Sequence, residues 1–173
     1  MCKGTLCVPW FKSENMIKLS NRLKALAGYI DAGATVADIG TDHGFLPVYL
    51  AQTGLAREII ASDISAGSLK AALLTADRFS VTGKIKFIVT SGLDGISQTD
   101  ADTIVIAGMG GETMLGILAN APWTRRSGVK LILQPQSKID VLFRFLYDNE
   151  YKVRETRSVK DKGRYYTVAL VGS

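Results

Sequence analysis

Two acidic residues and a glycine-bounded turn have the spacing of a nucleotide-cofactor site. The segment Val36–Pro47 begins as a short apolar run, ends that run on Asp38, and then breaks into a turn between Gly40 and Gly44. Gly40 allows a sharp turn without a Cβ clash, and Gly44 allows the next helix to start close to the strand. A second apolar run ends on Asp63, near the roughly 20-residue spacing at which a carboxylate from the second strand reaches ribose hydroxyls. The pattern therefore predicts a cofactor that contains a nucleoside.

Asp42 argues against a dinucleotide, since it stands where the fingerprint G-x-G-x-x-G has its second glycine. That glycine lets the backbone approach a pyrophosphate, whereas S-adenosylmethionine has no phosphate and tolerates a carboxylate in the loop. In this interpretation Asp38 accepts a hydrogen bond from an ammonium group or from ordered water, and Asp63 accepts from the ribose. The alternative is an ordinary strand–helix turn in which Asp38 caps the helix and Asp63 is a loop residue.

The rest of the chain alternates between helix and strand patterns around this turn. Ser20 is expected to cap a first helix that stops at 31–33, because apolar residues recur on one face from Leu19 to Ile30. Strand-like runs are expected at 35–39, 58–62, 85–90, 103–107 and 130–134, and helices at 44–53, 66–80, 112–119 and 138–149. The strands are almost continuously apolar, which is typical of a parallel sheet covered by helices on both faces.

The end of the chain changes from this alternation to a hairpin. Two strand-like runs, 151–159 and 165–171, are joined by the glycine-containing segment 160–164. Five strand–helix units closed by an antiparallel hairpin form the α/β topology of the Rossmann-like class I S-adenosylmethionine-dependent methyltransferases, with a mostly parallel seven-stranded sheet. Residues 1–15 show neither period and are expected to be a flexible N-terminal segment, followed by one methyltransferase domain at 16–173.

Composition and charge restrict the class of protein. The 173 residues are 47% hydrophobic, which suits one globular domain with a real core. No apolar stretch approaches the roughly 18 residues of a membrane span, so we expect a cytoplasmic protein without a membrane partner. One histidine and two cysteines cannot complete a zinc site, and no metal is expected. The net charge of +5 suits a polyanionic partner.

Basic residues concentrate near the C-terminus. They are Lys152, Arg154, Arg157, Lys160, Lys162 and Arg164, while Arg125 and Arg126 follow Trp123 in a separate loop. These side chains are candidate phosphate contacts, and binding of that kind weakens steeply as salt rises. The alternative is a solvated strand face with no partner.

Ligands of open α/β sheets bind outside the carboxyl ends of the strands, where this chain carries glycines and polar residues. The expected cofactor-binding residues are Asp38, Gly40, Thr41, Gly44, Asp63, Ile64, Gly92, Asp94, Ala107, Gly108 and Gly110. Asp94 is placed to accept from the amino group of the cofactor adenine, or else it caps a turn with Gly95. Met109 is either a soft wall for a base or a core residue. Gln134 offers a donor and an acceptor that match the edge of a nucleobase.

Four segments of the chain share their order and spacing with a known enzyme family. They are Leu19–Leu23, Val36–Pro47, Ile106–Gly111 and Leu131–Gln136. Together they resemble the bacterial tRNA adenine-22 N1-methyltransferases, over roughly residues 16–171. The resemblance implies S-adenosylmethionine as methyl donor and N1 of a tRNA adenine as acceptor. Members of that family usually carry a further helical domain at the C-terminus, whereas this sequence ends at Ser173, so we expect weak and salt-sensitive tRNA binding.

Methylation of adenine N1 demands little of a catalytic residue, because the neutral ring nitrogen already has a lone pair and needs positioning and exclusion of water. The candidate catalytic residues are Asp42, His43, Met109 and Gln134. Asp42 would accept from the adenine 6-amino group, and His43 would stack on or hydrogen-bond the base unless its role is structural. The alternative functions are a non-catalytic nucleotide- or RNA-binding module and a methyltransferase for a small molecule or a protein. A monomer is favoured.

Overall fold

One seven-stranded sheet forms the centre of the computed structural model, which describes residues 16–172. The strands are β1 (Ala34–Ile39), β2 (Ala56–Asp63), β3 (Lys86–Val89), β4 (Thr103–Gly110), β5 (Lys130–Ser137), β6 (Val153–Asp161) and β7 (Arg164–Gly172). Their spatial order is β3-β2-β1-β4-β5-β7-β6, with β1 to β5 parallel and β7 antiparallel to both of its neighbours. The predicted mostly parallel sheet with an antiparallel C-terminal hairpin is confirmed. The prediction of a flexible segment at 1–15 lies outside the described residues.

Helices cover both faces of the sheet, as the apolar strands predicted. They are α1 (Asn21–Ala27), α2 (Phe45–Thr53), α3 (Ala66–Arg78), α4 (Gly111–Ala119) and α5 (Ile139–Asp148), with short 3-10 turns at Thr82–Lys84 and Pro122–Arg125. Leu26, Leu50 and Ala76 bring α1, α2 and α3 into one buried cluster. Met114 and Leu142 bring α4 and α5 into a second cluster. Strand β1 is buried along its whole length between the two.

The strand order reverses next to β1. The chain moves outward from β1 to β2 and β3, then returns across the sheet to β4 on the other side of β1. In open α/β sheets a crevice forms at such a point, outside the carboxyl ends of the strands. The fold therefore places a crevice at the strand ends where a ligand site was expected from the sequence.

The first helix is shorter than predicted, since it ends at Ala27, before the expected stop. Ser20 caps it as predicted, because its side chain accepts a hydrogen bond from Leu23 N at 3.4 Å. Beyond Ala27 the backbone continues with tighter bonds to the residue three positions earlier, such as Tyr29 N to Leu26 O at 3.1 Å. The helical period of the sequence thus extends through a turn that is not α-helical.

Strands β4 and β5 are longer than predicted, and the glycine-rich segment 108–110 belongs to β4. The sequence predicted a loop here, between a strand that ends at 107 and a helix that starts at 112, and that prediction is wrong. Gly108 has a φ of 81°, and the ladder to β5 shifts register on either side of Met109 before it resumes at Gly110 and Ser137. A glycine in this conformation bends a strand without ending it.

The hairpin connection is also shorter than the predicted segment 160–164. Strand β6 continues to Asp161 and β7 begins at Arg164, so only two residues form the turn. These residues, Lys162 and Gly163, have φ values of 47° and 80°. Positive φ at both central positions is typical of the type I′ turn that joins tightly paired strands.

Candidate functional site

The turn after β1 is tied to the end of β2. Gly40 N and Thr41 N donate to Ser62 O at 2.8 and 2.9 Å, and Gly44 N donates to Thr41 O at 2.9 Å. Positive φ occurs at alternate residues, with values of 73° at Gly40, 51° at Asp42 and 69° at Gly44. Asp42 thus holds the left-handed conformation that glycine adopts freely, in agreement with its place in the fingerprint.

Asp63, at the end of β2, holds the same turn through its side chain. Its Oδ2 accepts from Asp42 N at 3.1 Å, and its Oδ1 accepts from Ser65 N at 2.9 Å, just before α3. Each carboxylate oxygen retains a lone pair for a ligand, because the group has about four acceptor positions. The N–H groups of residues 40–42 and 44 all have protein acceptors, so this turn offers few donors to a phosphate.

A cavity of about 500 Å³ opens at the carboxyl ends of the central strands. The expected site residues that line it are Asp38, Gly40, Thr41, Asp42, His43, Asp63, Ile64, Gly92, Ala107, Gly108 and Met109. They come from the ends of β1, β2 and β4 and from the segment after β3. The topology therefore gathers most of the predicted site around a single crevice.

Gln134, expected beside a nucleobase, does not line this cavity. It is fully buried, its Oε1 accepts from Arg22 Nη1 at 2.6 Å, and its Nε2 donates to Pro135 O at 2.9 Å. Both ends of the amide already have protein partners, so Gln134 positions Arg22. Gln136, two residues further along β5, is exposed and does line the cavity.

Three other expected residues also lie outside the lining of the main cavity. A Cβ at Gly44 would come within 2.8 Å of Ala72 Cβ on α3. The close approach at Gly44 is therefore to helix α3, whereas the sequence predicted a close approach to the strand. Gly110 precedes α4, and a Cβ there would lie 3.1 Å from Ser137 Oγ. Asp94 is exposed and borders a smaller, neighbouring cavity.

Arg22, on α1, is the main site residue absent from the predicted set. It lines the cavity, and its guanidinium carbon lies 5.6 Å from the ring centroid of Tyr166 on β7. It takes part in none of the ion pairs found within residues 16–172. The sequence contained one sign of this position, since Arg22 falls on the same helical face as Leu19 and Leu26, which are buried. An arginine within an apolar stripe needs a polar partner beneath the helix.

Asp38 is a buried carboxylate in an acidic environment. The pKa of Asp38 is raised from 3.8 to about 6, chiefly by burial and also by the nearby charge of Asp63. The nearby Thr41 hydroxyl and the charge of Arg22 oppose this effect and lower the pKa. At neutral pH the group is mainly ionised at a free-energy cost, so a cationic ligand next to it is favoured.

The mouth of the cavity carries an acid and two aromatic rings. Asp42, His43 and Phe45 are all exposed, and His43 Nε2 lies 3.8 Å from Asp42 Oδ1. The rings of His43 and Phe45 stack with centroids 5.6 Å apart and an interplanar angle of 20°. This arrangement gives a planar ligand one hydrogen-bond acceptor and one flat apolar surface.

Met109 lies between the cavity and the core. Its side chain lines the cavity and covers Gly40, where a Cβ would collide with the Met109 Cε methyl. The same side chain packs against the second buried cluster. The glycine at 40 is therefore required by the space that Met109 occupies as well as by its own positive φ.

Part of the basic hairpin lies beside this cavity. Strand β7 runs antiparallel to β5, so its first residues lie at the carboxyl edge of the sheet, where Tyr166 contacts the cavity residue Arg22. The turn of the hairpin thus projects past the carboxyl edge of the sheet. Exposed cations on it, which form no ion pair within 16–172, are Lys160, Lys162 and Arg164.

The other basic residues lie away from the cavity. Arg125 and Lys152 border a small cavity together with Gly172, which pairs with Lys130 at the first residue of β5. This position is the amino edge of the sheet, opposite the crevice. The predicted phosphate contacts are therefore spread along β6 and over both edges of the sheet, and those at the hairpin turn lie at the edge that carries the cavity.

Residues 16–172 show neither a membrane-spanning helix nor a cluster of metal ligands. Within residues 16–172, no helix combines the length and the apolar character needed to cross a bilayer. Over the same range, no group of three or more histidine, cysteine, aspartate or glutamate side chains is arranged to hold a metal ion.

Known proteins with similar sequences and structures are methyltransferases. The family model described as a methyltransferase domain matches residues 19–169. The chain is 34% identical to the tRNA (adenine(22)-N(1))-methyltransferase of Bacillus subtilis (strain 168), over 90% of this chain and 66% of that protein's length. The crystal structure of B. subtilis m1A22 tRNA methyltransferase TrmK matches with a TM-score of 0.84 and 32% identity, covering 91% of this chain and 67% of that one. M. capricolum TrmK in complex with S-adenosyl-homocysteine matches with a TM-score of 0.78 and 28% identity, covering 89% and 68%.

Proposed function

The chain belongs to the methyltransferase-domain family and, within it, to the bacterial tRNA (adenine-22 N1)-methyltransferases, and from this premise we propose that it methylates N1 of adenine 22 in tRNA. S-adenosylmethionine, when bound, supplies a methyl group attached to a positively charged sulfur. The observation that carries the proposal is the acidic cavity whose neighbouring backbone donors already have protein acceptors. Such a cavity favours a cationic cofactor that has no phosphate.

The residues around the cavity suit the separate groups of this cofactor. Asp38, buried and mainly ionised at neutral pH, is the partner for the ammonium of the methionine part. Arg22, which has no carboxylate partner within residues 16–172, suits the carboxylate of the same part. Asp63 keeps lone pairs for the ribose hydroxyls. Ile64 lines the cavity although it is 73% exposed, so it is available to cover the cofactor adenine.

The residues at the mouth suit the adenine that accepts the methyl group. Its N1 lone pair is nucleophilic without loss of a proton, so the chain needs to orient the base and exclude water. Asp42 accepts a hydrogen bond from the 6-amino group, and its charge stabilises the positive charge that the ring gains. The stacked pair His43 and Phe45 provides a wall for the base. The adenine must leave its stack within the RNA to reach this mouth.

The basic hairpin is the part of the chain that suits the tRNA backbone. Lys160, Lys162 and Arg164 are exposed beside the cavity, where phosphates flanking an extruded adenine would lie. We assign the catalytic activity to a methyltransferase domain at 16–173, acting as a monomer. The reaction belongs in the cytoplasm, where tRNA is available.

The test is methyl transfer to a defined tRNA. The purified chain is incubated with methyl-labelled S-adenosylmethionine and an unmodified tRNA transcript that has adenine at position 22, and the RNA is digested to nucleosides. The matched control is the same transcript with guanine at position 22. We expect labelled N1-methyladenosine from the first transcript and none from the second.

Other outcomes identify the alternatives. Binding of S-adenosylmethionine without transfer to either transcript would indicate a non-catalytic module with the methyltransferase fold. Equal labelling of both transcripts would reject position 22 as the target. Transfer to a small molecule or protein added in place of RNA, with none to tRNA, would reject the substrate class.

A further inference from the structure

Tyr165, in strand β7, is an exposed aromatic residue next to a cation. Its side chain is 71% exposed, and Lys160 Nζ lies 5.6 Å from the centroid of its ring. The two residues are cross-strand partners in the β6–β7 hairpin. Tyrosine rings are usually covered by other apolar groups, so an exposed ring beside a lysine suits contact with a partner.

The position of Tyr165 relates it to the cavity. It is the second residue of β7, which runs antiparallel to β5, so it lies at the carboxyl edge of the sheet, where the cavity opens. Tyr166, the next residue, points to the other face of the sheet, where it contacts Arg22 at the cavity wall. Tyr165 itself does not line the cavity. It therefore lies at the sheet edge that carries the cavity but outside the cavity lining, a position that we call the rim.

We propose that Tyr165 is a stacking platform for an unpaired base of the tRNA next to the target adenine, an inference that rests on the proposed function. When the target leaves its stack, the neighbouring base loses a stacking partner as well. An exposed tyrosine at the rim replaces that partner, and it does so for any base because every base has a π face. Lys160 and Lys162 are close enough along the hairpin to hold the adjoining phosphates.

The experiment compares tRNA binding by variants of the full chain. Affinity for a fluorescently labelled, unmodified tRNA transcript is measured by anisotropy at several salt concentrations in the presence of S-adenosyl-homocysteine. Tyr165→Ala should bind about ten-fold more weakly than the parent protein at every salt concentration. The slope of log affinity against log salt should not change, because the substitution removes no phosphate contact.

Two further variants separate stacking from other causes. Tyr165→Phe retains the ring and should keep the parent affinity within about two-fold, since stacking does not use the hydroxyl group. Tyr147→Ala removes a tyrosine that is 83% exposed near the C-terminal end of α5, at the opposite edge of the sheet, and should have no effect. S-adenosyl-homocysteine affinity checks the fold and should be the same in all variants.

The outcomes distinguish this inference from the proposed function. Parent affinity in Tyr165→Ala, a loss in Tyr165→Phe equal to that in Tyr165→Ala, or a changed salt slope would each overturn the stacking role. Methyl transfer by the parent protein is measured first with the same transcript. If the parent protein transfers the methyl group and Tyr165→Ala does not change tRNA affinity, the stacking role is rejected and the enzyme assignment stands. If the parent protein binds the tRNA but transfers no methyl group, only the enzyme assignment is rejected. A parent protein that does not bind the transcript overturns both.

Discussion

The carboxyl edge of the sheet carries negative charge at the β1–β2 end and positive charge at the hairpin end. The two ends differ in how far their charged side chains are buried and fixed by hydrogen bonds. At the β1–β2 end, Asp38 is buried and Asp63 is fixed by two backbone N–H groups. At the hairpin end, the cations of Lys160, Lys162 and Arg164 are exposed and lack ion pairs within residues 16–172. The first arrangement suits a small ligand with defined groups, and the second suits a polyanion that is held mainly by its charge.

Arg22 connects these two regions. It extends from α1 into the acidic cavity, yet its supports come from the other side, namely Gln134 on β5 and Tyr166 on β7. Its charge lowers the pKa of Asp38, whereas burial and Asp63 raise it. The pKa of Asp38 at the acidic end therefore depends on Arg22, a residue that the hairpin strand β7 helps to hold. Substitutions at each end separately test whether the two ends act independently.

The largest effect is expected for Asp42, which belongs to the acidic end but faces the acceptor. Asp42→Ala should lower the single-turnover rate of methyl transfer by about a hundred-fold, because it removes the group that orients the adenine and stabilises its charge. Affinity for S-adenosylmethionine, measured by calorimetry, should stay within about three-fold of the parent value. Equal losses in rate and affinity would instead place Asp42 among the cofactor contacts.

The next effect concerns Asp38 and depends on pH. Its folded-state pKa of about 6 lies above the ordinary value of 3.8, so the stability it contributes is present at low pH and is lost as the pH rises through 6. Asp38→Asn cannot ionise and should make the unliganded protein more stable than the parent at pH 8, by up to about 3 kcal/mol. Urea unfolding at pH 8 and pH 4 measures this difference, which should fall to about 0.5 kcal/mol at pH 4.

The same substitution should weaken the cofactor interaction, because the proposed ammonium partner is gone. Asp148→Asn is the matched control, since Asp148 is exposed at the end of α5 and lies outside the main cavity. It should change neither stability nor affinity. A stability difference for Asp38→Asn that is equal at both pH values would show that burial of the charge is not its cause.

Asp63 should give a smaller effect, on affinity for S-adenosylmethionine. Asp63→Ala removes the proposed ribose acceptor and also frees the N–H groups of Asp42 and Ser65. We expect affinity to fall about ten- to a hundred-fold by calorimetry, as for the loss of one charged hydrogen-bonding group. Unchanged affinity in a folded Asp63→Ala protein would remove this residue from the site and leave it the role of anchoring the turn.

The acidic end was predictable from sequence because its determinants are local. Gly40, Asp42 and Asp63 fall within one strand–turn–helix–strand unit, and the bonds that join the turn to the end of β2 stay within that unit. The alternation of apolar runs likewise predicted the sheet and its antiparallel hairpin. The site that these residues form follows from where parallel strands end.

The remaining features depend on contacts between distant parts of the chain. The Arg22–Gln134 hydrogen bond joins residues 112 positions apart, and no local pattern shows that Gln134 is covered by α1. The extra length of β4 depends on two register shifts against β5. The division of the basic residues between two edges depends on the direction of β6, which the charge cluster alone does not reveal.

The smallest expected effect tests the hairpin end alone. Replacing Lys160, Lys162 and Arg164 together by glutamine should flatten the slope of log tRNA affinity against log salt by about two units, because the phosphate contacts release fewer counterions. Affinity for S-adenosylmethionine should not change, since none of the three lines the cavity. The matched control replaces Arg125, Arg126 and Lys152 by glutamine. It removes the same amount of charge near the amino edge and should leave the slope unchanged. Equal slopes in both triple variants would mean that RNA responds to net charge alone and that the hairpin is a solvated face.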